Sequence, residues 1–178
     1  MYKRQPLTVK GFRKLIYVVE GNIYTVEGLT AEKTVTNVSD TGEVEVKGTA
    51  IVKDTDGNDV TAQFTVETKN GNAAIRPRKV TLTSDSASRE YNGKPLTNHL
   101  VFIEEDGFIE GEGAGYHVTG SQTLVGTSDN TFTYTLHAGT KAENYNITTE
   151  FGKLTVIDRS EENKYPITVE ANSGSKVY

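Results

Sequence analysis

The stretch Lys79-Val-Thr-Leu-Thr-Ser-Asp-Ser-Ala-Ser-Arg-Glu-Tyr91 returns at the far end of the sequence as Pro166-Ile-Thr-Val-Glu-Ala-Asn-Ser-Gly-Ser-Lys-Val-Tyr178. Apolar positions fall on apolar positions, Val80 on Ile167 and Leu82 on Val169, while Ser86, Ser88 and Tyr91 recur as Ser173, Ser175 and Tyr178. After the tyrosine, Tyr91-Asn-Gly-Lys-Pro-Leu-Thr97 matches Tyr2-Lys-Arg-Gln-Pro-Leu-Thr8. Tyr2, Tyr91 and Tyr178 therefore mark a period of about 88 residues, the signature of a tandem repeat. Other landmarks keep the same order. Tyr24-Thr-Val-Glu-Gly28 parallels Tyr116-His-Val-Thr-Gly120, and Val38-Ser-Asp parallels Val125-Gly-Thr. Phe64-Thr-Val-Glu-Thr-Lys-Asn-Gly71 parallels Tyr145-Asn-Ile-Thr-Thr-Glu-Phe-Gly152. The offsets differ by several residues, as insertions in loops allow.

Each copy is filled with strand signals. In Thr131-Phe-Thr-Tyr-Thr-Leu136 the alternation places Phe132, Tyr134 and Leu136 on one face and threonines on the other. The second copy predicts strands at Val80–Ser84, Leu100–Ile103, His117–Leu124, Thr131–Leu136, Tyr145–Glu150 and Lys153–Ile157. The first predicts them at Leu15–Val19, Tyr24–Val26, Lys33–Val38, Val44–Val52, Phe64–Thr68 and Ala73–Ile75. Threonine is abundant beside Val, Ile, Tyr and Phe, residue types that suit a pleated, half-buried surface. No segment holds a helical period. The fold class expected is all-β: two tandem β modules, either a β-sandwich of Ig-like kind or a β-grasp-like sheet with one short helix. Pro95 to Gly115 is the only place for that helix, and its glycines oppose it.

The repeat also sets the expected boundaries. Residues 1–78 form a first β module lacking its opening strand, 79–165 a complete second module, and 166–178 the opening strand of a third. Pro77 fixes its own φ and biases Arg76 towards extended geometry, so Arg76-Pro77-Arg78 reads as a short connection that keeps successive units nearly in line. The strand 166–178 is expected to dock on the vacant sheet edge of a first module in a neighbouring chain, because an unpaired edge is a template for strand addition.

Composition narrows the function. A net charge of −5 with charges of both signs interspersed argues against nucleic acid, which rewards clustered Lys and Arg. No apolar run approaches the roughly 18 residues that cross a bilayer, so no membrane insertion is expected of this segment. Cysteine is absent, which removes disulfides and thiolate metal sites.

Few residues carry chemistry. Asp54, Asp56, Asn58 and Asp59 form a weak Ca²⁺ candidate, since clustered oxygens bind that ion. The glycine is at the fourth position where an EF-hand loop places it sixth, and Thr65 stands where the closing Glu belongs. A hairpin turn is the plainer reading. Glu104, Glu105, Asp106, Glu110 and Glu112 could supply a carboxylate pair for glycoside hydrolysis, but a solvated acidic loop is expected. His99, His117 and His137 fall on different predicted elements, with no nucleophile or metal-ligand spacing. Gly111-Glu-Gly113-Ala-Gly115 lacks the following helix that a phosphate loop requires. Asn37-Val-Ser39 and Asn146-Ile-Thr148 are formal glycosylation triplets in a Thr-rich chain. Tyr2, Tyr91 and Tyr178 are expected to pack at module corners. A Lys–Asn or Lys–Asp isopeptide staple is conceivable near Lys79 or Lys153, with no rule to choose a partner. No catalytic residue, cofactor or metal is assigned, and the chain reads as a non-enzyme.

The ordered motifs resemble the MBG/YDG-type repeats of bacterial cell-surface adhesins. The resemblance rests on Tyr91-Asn92-Gly93-Lys94-Pro95-Leu96-Thr97, Gly120-Ser121-Gln122-Thr123-Leu124-Val125-Gly126, Asn144-Tyr145-Asn146-Ile147, Gly152-Lys153-Leu154-Thr155-Val156 and the next opening, Ser175-Lys176-Val177-Tyr178. The first copy departs from it where Lys3-Arg4 replaces Asn-Gly and Ala73-Ala74-Ile75 replaces Leu-Thr-Val. The resemblance implies a stalk or spacer segment of a secreted or wall-attached, extracellular protein of a Gram-positive-type bacterium. Its partners would be neighbouring repeat modules of the same chain, with any host glycan or protein bound through other domains. The alternatives are an adhesin module that itself binds a glycan or host protein, and an accessory domain of an extracellular carbohydrate-active enzyme.

Overall fold

A computed structural model describes residues 4–177. Tyr2, Lys3 and Tyr178, which enter the repeat and the corner packing above, lie outside the described residues. The chain is mostly β. Its strands are β1 (Leu7–Lys10), β2 (Ile16–Val19), β3 (Asn22–Val35), β4 (Gly42–Val44), β5 (Val46–Lys53), β6 (Gly71–Ala73) and β7 (Arg78–Ser84). They continue as β8 (Ala87–Glu90), β9 (Val101–Glu105), β10 (Ala114–Val118), β11 (Gly126–Asp129), β12 (Phe132–Leu136), β13 (Tyr145–Glu150) and β14 (Lys153–Ile157). Single 3-10 turns at Val38–Asp40, Thr61–Gln63, Ala142–Asn144 and Glu161–Asn163 are the only helical pieces among the described residues. The segment 95–115, the one place left for a crossing helix, holds strand β9, turns and the start of β10.

The chain packs as two compact units. The first comprises the described residues up to Val80 with Glu105–Gly113 and Leu136–Thr148; the second comprises Thr81–Glu104, Ala114–Thr135 and Thr149 onward. These are units of contact, whereas the modules 1–78, 79–165 and 166–178 are units of sequence.

In the first unit the long strand β3 is the spine. Its N-terminal half pairs antiparallel with β2 (Tyr17 opposite Tyr24) and its C-terminal half with β1 (Leu7 opposite Val35). β5 runs antiparallel along its other edge. The β2–β3 connection is the two-residue turn Glu20-Gly21, with φ of 49° and 85°. Two successive positive φ values match the twist of a tight hairpin. The sequence predicts two strands here, Tyr24–Val26 and Lys33–Val38. The chain instead continues through a bulge, with the register against β5 shifting between Glu27 and Leu29. β4 and β6 form a separate antiparallel pair, and Val35, Val44 and Ala73 make the core, with Val9, Ala31 and Ile75 packed on it.

The second unit repeats part of this plan. β11 pairs antiparallel with β14, as β4 does with β6, and β8 adds to the other edge of β14 in parallel (Leu154 opposite Ala87). Leu96, Leu154 and Val156 are buried together, with Ala87 and Tyr91 packed against that cluster. Strands β7 and β13 cross the division between the units, after Val80 and after Thr148; in sheet order β7 lies between β13 and β9, and its alternate residues Val80, Leu82 and Ser84 are fully buried.

Ala73–Ile75 is found shifted to Gly71–Ala73, and Val44–Val52 is split at Glu45 into β4 and β5. Three further strand expectations are corrected. His117–Leu124 is displaced to Ala114–Val118, because Gly120 and Ser121 leave the ladder and Gln122 makes only an isolated bridge to Leu96. Phe64–Thr68 belongs to no strand, although Phe64 has extended backbone (φ −129°, ψ 148°). Its repeat partner Tyr145–Glu150 is β13, which has β7 beside it. Both segments directly follow a 3-10 turn, so the difference is the neighbouring strand, not the local entry. Lastly, no residue of 166–177 is in a strand, and Ile167, Val169 and Val177 are 85%, 90% and 94% exposed.

At the bulge, Gly28 and Gly48 have φ of 78° and 98° and face each other across the ladder, where a Cβ on Gly48 would lie 2.1 Å from the Gly28 carbonyl oxygen. We expect Gly48→Ala to destabilise the chain by about 1–3 kcal/mol, the usual cost of left-handed strain at a non-glycine residue. Urea unfolding of the variant beside Ile51→Ala, a non-glycine change on the same strand, checks whether the backbone is the cause.

Candidate binding groove and polar clusters

A groove of about 1030 Å³ lies within the first unit. One wall is the inward face of the β2–β3–β5 sheet, with Tyr17, Val19, Tyr24, Val26 and Val52 on it. The facing side is the unpaired segment from Phe64 through Asn70. Tyr24 and Phe64 meet edge to face at 4.7 Å between ring centroids, which anchors the start of that segment. The groove is open, apolar on its walls, and bordered by backbone that no strand pairs. Such a site suits an extended chain with alternating apolar side chains, which would supply both hydrogen bonds and contacts.

A polar cluster also sits in this unit. Glu112, read from sequence as part of a solvated acidic loop, has a side chain only 11% exposed. Its carboxylate accepts from Arg4 Nη2 (2.5 Å) and from the Tyr145 hydroxyl (2.5 Å), whose oxygen in turn accepts from the backbone N–H of Ile109. Arg4 Nη1 donates to Asn37 Oδ1, to which Asn144 Nδ2 also donates, and Asn144 Oδ1 accepts from the Val38 N–H. Burial first, then the hydroxyl's hydrogen bond to Glu112, pushes the Tyr145 phenol above its usual pKa. Every member has partners, so the cluster is a brace for loops. The other members of the acidic stretch go elsewhere: Glu104 accepts from Thr83 Oγ1, and Asp106 from the Lys79 N–H. They do not converge with Glu112 as a catalytic pair.

The Ca²⁺ candidate residues lie in the turn after β5. Asp54 Oδ1 accepts from the N–H groups of Asp56 (3.0 Å) and Asn58 (2.8 Å), and its Oδ2 accepts from Asn58 Nδ2. Asp59 Oδ1 accepts from the N–H and hydroxyl of Thr61. Both Asp54 oxygens and Asp59 Oδ1 are thus engaged by their own loop. Among the described residues no three His, Cys, Asp or Glu side chains gather as metal ligands. His99, His117 and His137 are each exposed. Lys153 pairs with Asp129 on exposed cross-strand positions, an ordinary surface ion pair. Asn37, in the first glycosylation triplet, has its side chain tied into the cluster above.

The sequence reading missed Asn130. Fully buried in the second unit, it donates from Nδ2 to the carbonyls of Asp85 and Asn98, while its own carbonyl accepts from Ser84 Oγ. Its position in a turn before an alternating strand gave no sign of burial.

No family model, curated protein or solved structure matches the chain.

Asp40 Oδ2 accepts from the N–H of Asn37 (2.8 Å) and Thr36 (3.0 Å), and these hydrogen bonds hold its carboxyl below the ordinary 3.8. Asp54 and Asp59 are lowered likewise, chiefly by side-chain hydrogen bonds from Asn58 and Thr61. A folded pKa depressed in this way contributes stability present above the unfolded value and lost as pH falls through the folded one. Stability should therefore fall on acidification below about 3.8, and Asp40→Asn should flatten that acid limb in denaturation midpoints measured across pH. In the buried cluster, Tyr145→Phe leaves Glu112 short of a donor and should cost about 1–3 kcal/mol at neutral pH. An unchanged urea midpoint would remove the cluster's bracing role.

Proposed function

We propose that this chain is a non-catalytic tandem-repeat spacer segment of an extracellular bacterial surface protein, of the MBG/YDG-type kind its motifs resemble. The observation that carries the reading is the ordered repeat in the sequence, and one pair of its landmarks shares its entry and exit. Phe64–Gly71 and Tyr145–Gly152 both leave a 3-10 turn, and each leads into a strand, β6 or β14, paired antiparallel with the strand two places earlier or its counterpart, β4 or β11. Polar side chains that sequence alone offers for chemistry are spent on loop braces and turns. A protein made of such copies gains reach by repetition, since each copy supplies its own core and passes strand edges to the next.

A second reading has one observation in its favour. The apolar groove of the first unit would serve a module that itself binds a partner. Its lining combines Val, Tyr and Phe with Lys10, Arg13, Lys14, Glu67 and Lys69, beside backbone that no strand pairs.

Concatenated chains of one, two and four copies test the spacer reading. The maximum dimension by small-angle X-ray scattering should grow by a constant increment per copy. Collapse to a compact particle whose size does not scale with copy number would contradict it. Strong, selective signal for the single chain on a glycan array would favour the binding reading instead.

A further inference from the structure

We infer that β2 is the edge by which two copies of this chain pair, antiparallel and in a single register with Tyr17 on the two-fold axis. The inference rests on the β2–β3 hairpin and does not depend on the spacer reading.

The edge is open and unguarded. In sheet order β2 ends its path, paired on one side with β3, and among the described residues no strand pairs its other side. All four of its residues, Ile16-Tyr17-Val18-Val19, are exposed and uncharged, with Ile16 and Val18 at 58% and 66%. Edge strands are ordinarily protected from such pairing by a charge, a proline or a bulge. β9, at the edge of its own sheet, ends in Glu104 and Glu105, whereas β2 carries no such device along its length.

The backbone fixes which residues can meet. The N–H of Val26 donates to the Leu15 carbonyl (2.8 Å), and in an antiparallel ladder the backbone groups of successive residues point to opposite edges. Leu15, Tyr17 and Val19 therefore aim at β3, while the N–H and C=O of Ile16 and Val18 aim outward. Two copies can bond only where outward residues oppose outward residues. One such register sets Ile16 opposite Val18 of the second copy, twice by symmetry, with Tyr17 opposite Tyr17. Lys14 and Glu20 flank Tyr17 at equal distance in sequence, so the same register brings Lys14 of each copy opposite Glu20 of the other. Sliding the strands by two residues would set Lys14 opposite Val18, or Glu20 opposite Ile16, each a charge against an apolar side chain. Opposite charges at opposed positions favour pairing, and the sequence around β2 is thus complementary to itself. Because both copies use the same edge, the contact is isologous and closes at two.

The test uses the full chain in sedimentation velocity. An edge of four residues makes a small interface, so association is expected at about 0.1–1 mM and little below it. Mass should rise towards twice the monomer and no further. Ile16→Lys/Val18→Lys, altered only at exposed positions, sets like charges opposite each other and should stay monomeric at every concentration. The chain has no cysteine, so one introduced thiol reads the register by itself. Opposed residues of a pair without hydrogen bonds lie about 4.5 Å apart at Cα, within reach of a disulfide. Tyr17→Cys should therefore cross-link to a covalent dimer under mild oxidation. Val19→Cys, which this register holds away from its own counterpart, should do so at least about 10-fold more slowly. Should the double lysine change unfold the hairpin, the two thiol variants decide. A wild-type chain monomeric up to about 1 mM would overturn the proposal and leave the edge to a different strand. So would association that survives the double change in a folded chain, species that grow beyond a dimer, or equal cross-linking of the two thiols.

Discussion

A β-strand persists when its two backbone edges and its apolar face are all satisfied, and the whole structure depends on how one short segment meets that demand. In the complete arrangement, β7 sits between β13 and β9 while β8 closes the second edge of β14. The residues this encloses, Val80, Leu82, Leu154 and Val156, are at most 1% exposed. In the first unit, Phe64–Asn70, the repeat counterpart of β13, joins no ladder among the described residues. Phe64 itself is extended, β6 is only three residues long, and residues of β2, β3 and β5 line a groove beside that segment. Strand formation there is limited by pairing and not by residue type.

Polar groups follow the same logic at smaller scale. Arg4, Asn37, Glu112, Asn144 and Tyr145 satisfy one another, and in the second unit Asn130 Nδ2 donates to two backbone carbonyls while its backbone carbonyl accepts from the Ser84 hydroxyl. Asp54 and Asp59 organise the turn after β5. These side chains fix loops between strands, which is what a module with short strands needs most. The chemistry that their residue types suggest in isolation is redirected by their geometry.

How much of this could be read in advance depended on whether a signal was local. β13 and β14 fall where alternation and the repeat place them, because Tyr145, Ile147, Leu154 and Val156 carry a plain two-residue period. β8 and β11 were not anticipated. Ala-Ser-Arg-Glu and Gly-Thr-Ser-Asp carry little apolar pattern and are strands only because β14 pairs with both. The converse error at Phe64–Thr68 has the same origin: good strand residues, no neighbour. Glu112 looked like one of several surface acids because its partners Arg4 and Tyr145 are far away in sequence. Sequence periodicity speaks for the strand itself, whereas pairing is a property of what lies beside it.

Residue-resolved amide hydrogen exchange of the dilute monomeric chain measures this most directly. The account predicts slow exchange along β7 and β13, and fast exchange from Phe64 to Asn70 despite the matching sequence, since no strand pairs that backbone. Amides of Phe64–Asn70 as strongly protected as those of Tyr145–Glu150 under the same dilute conditions would contradict it, because pairing would then not be what separates the two segments.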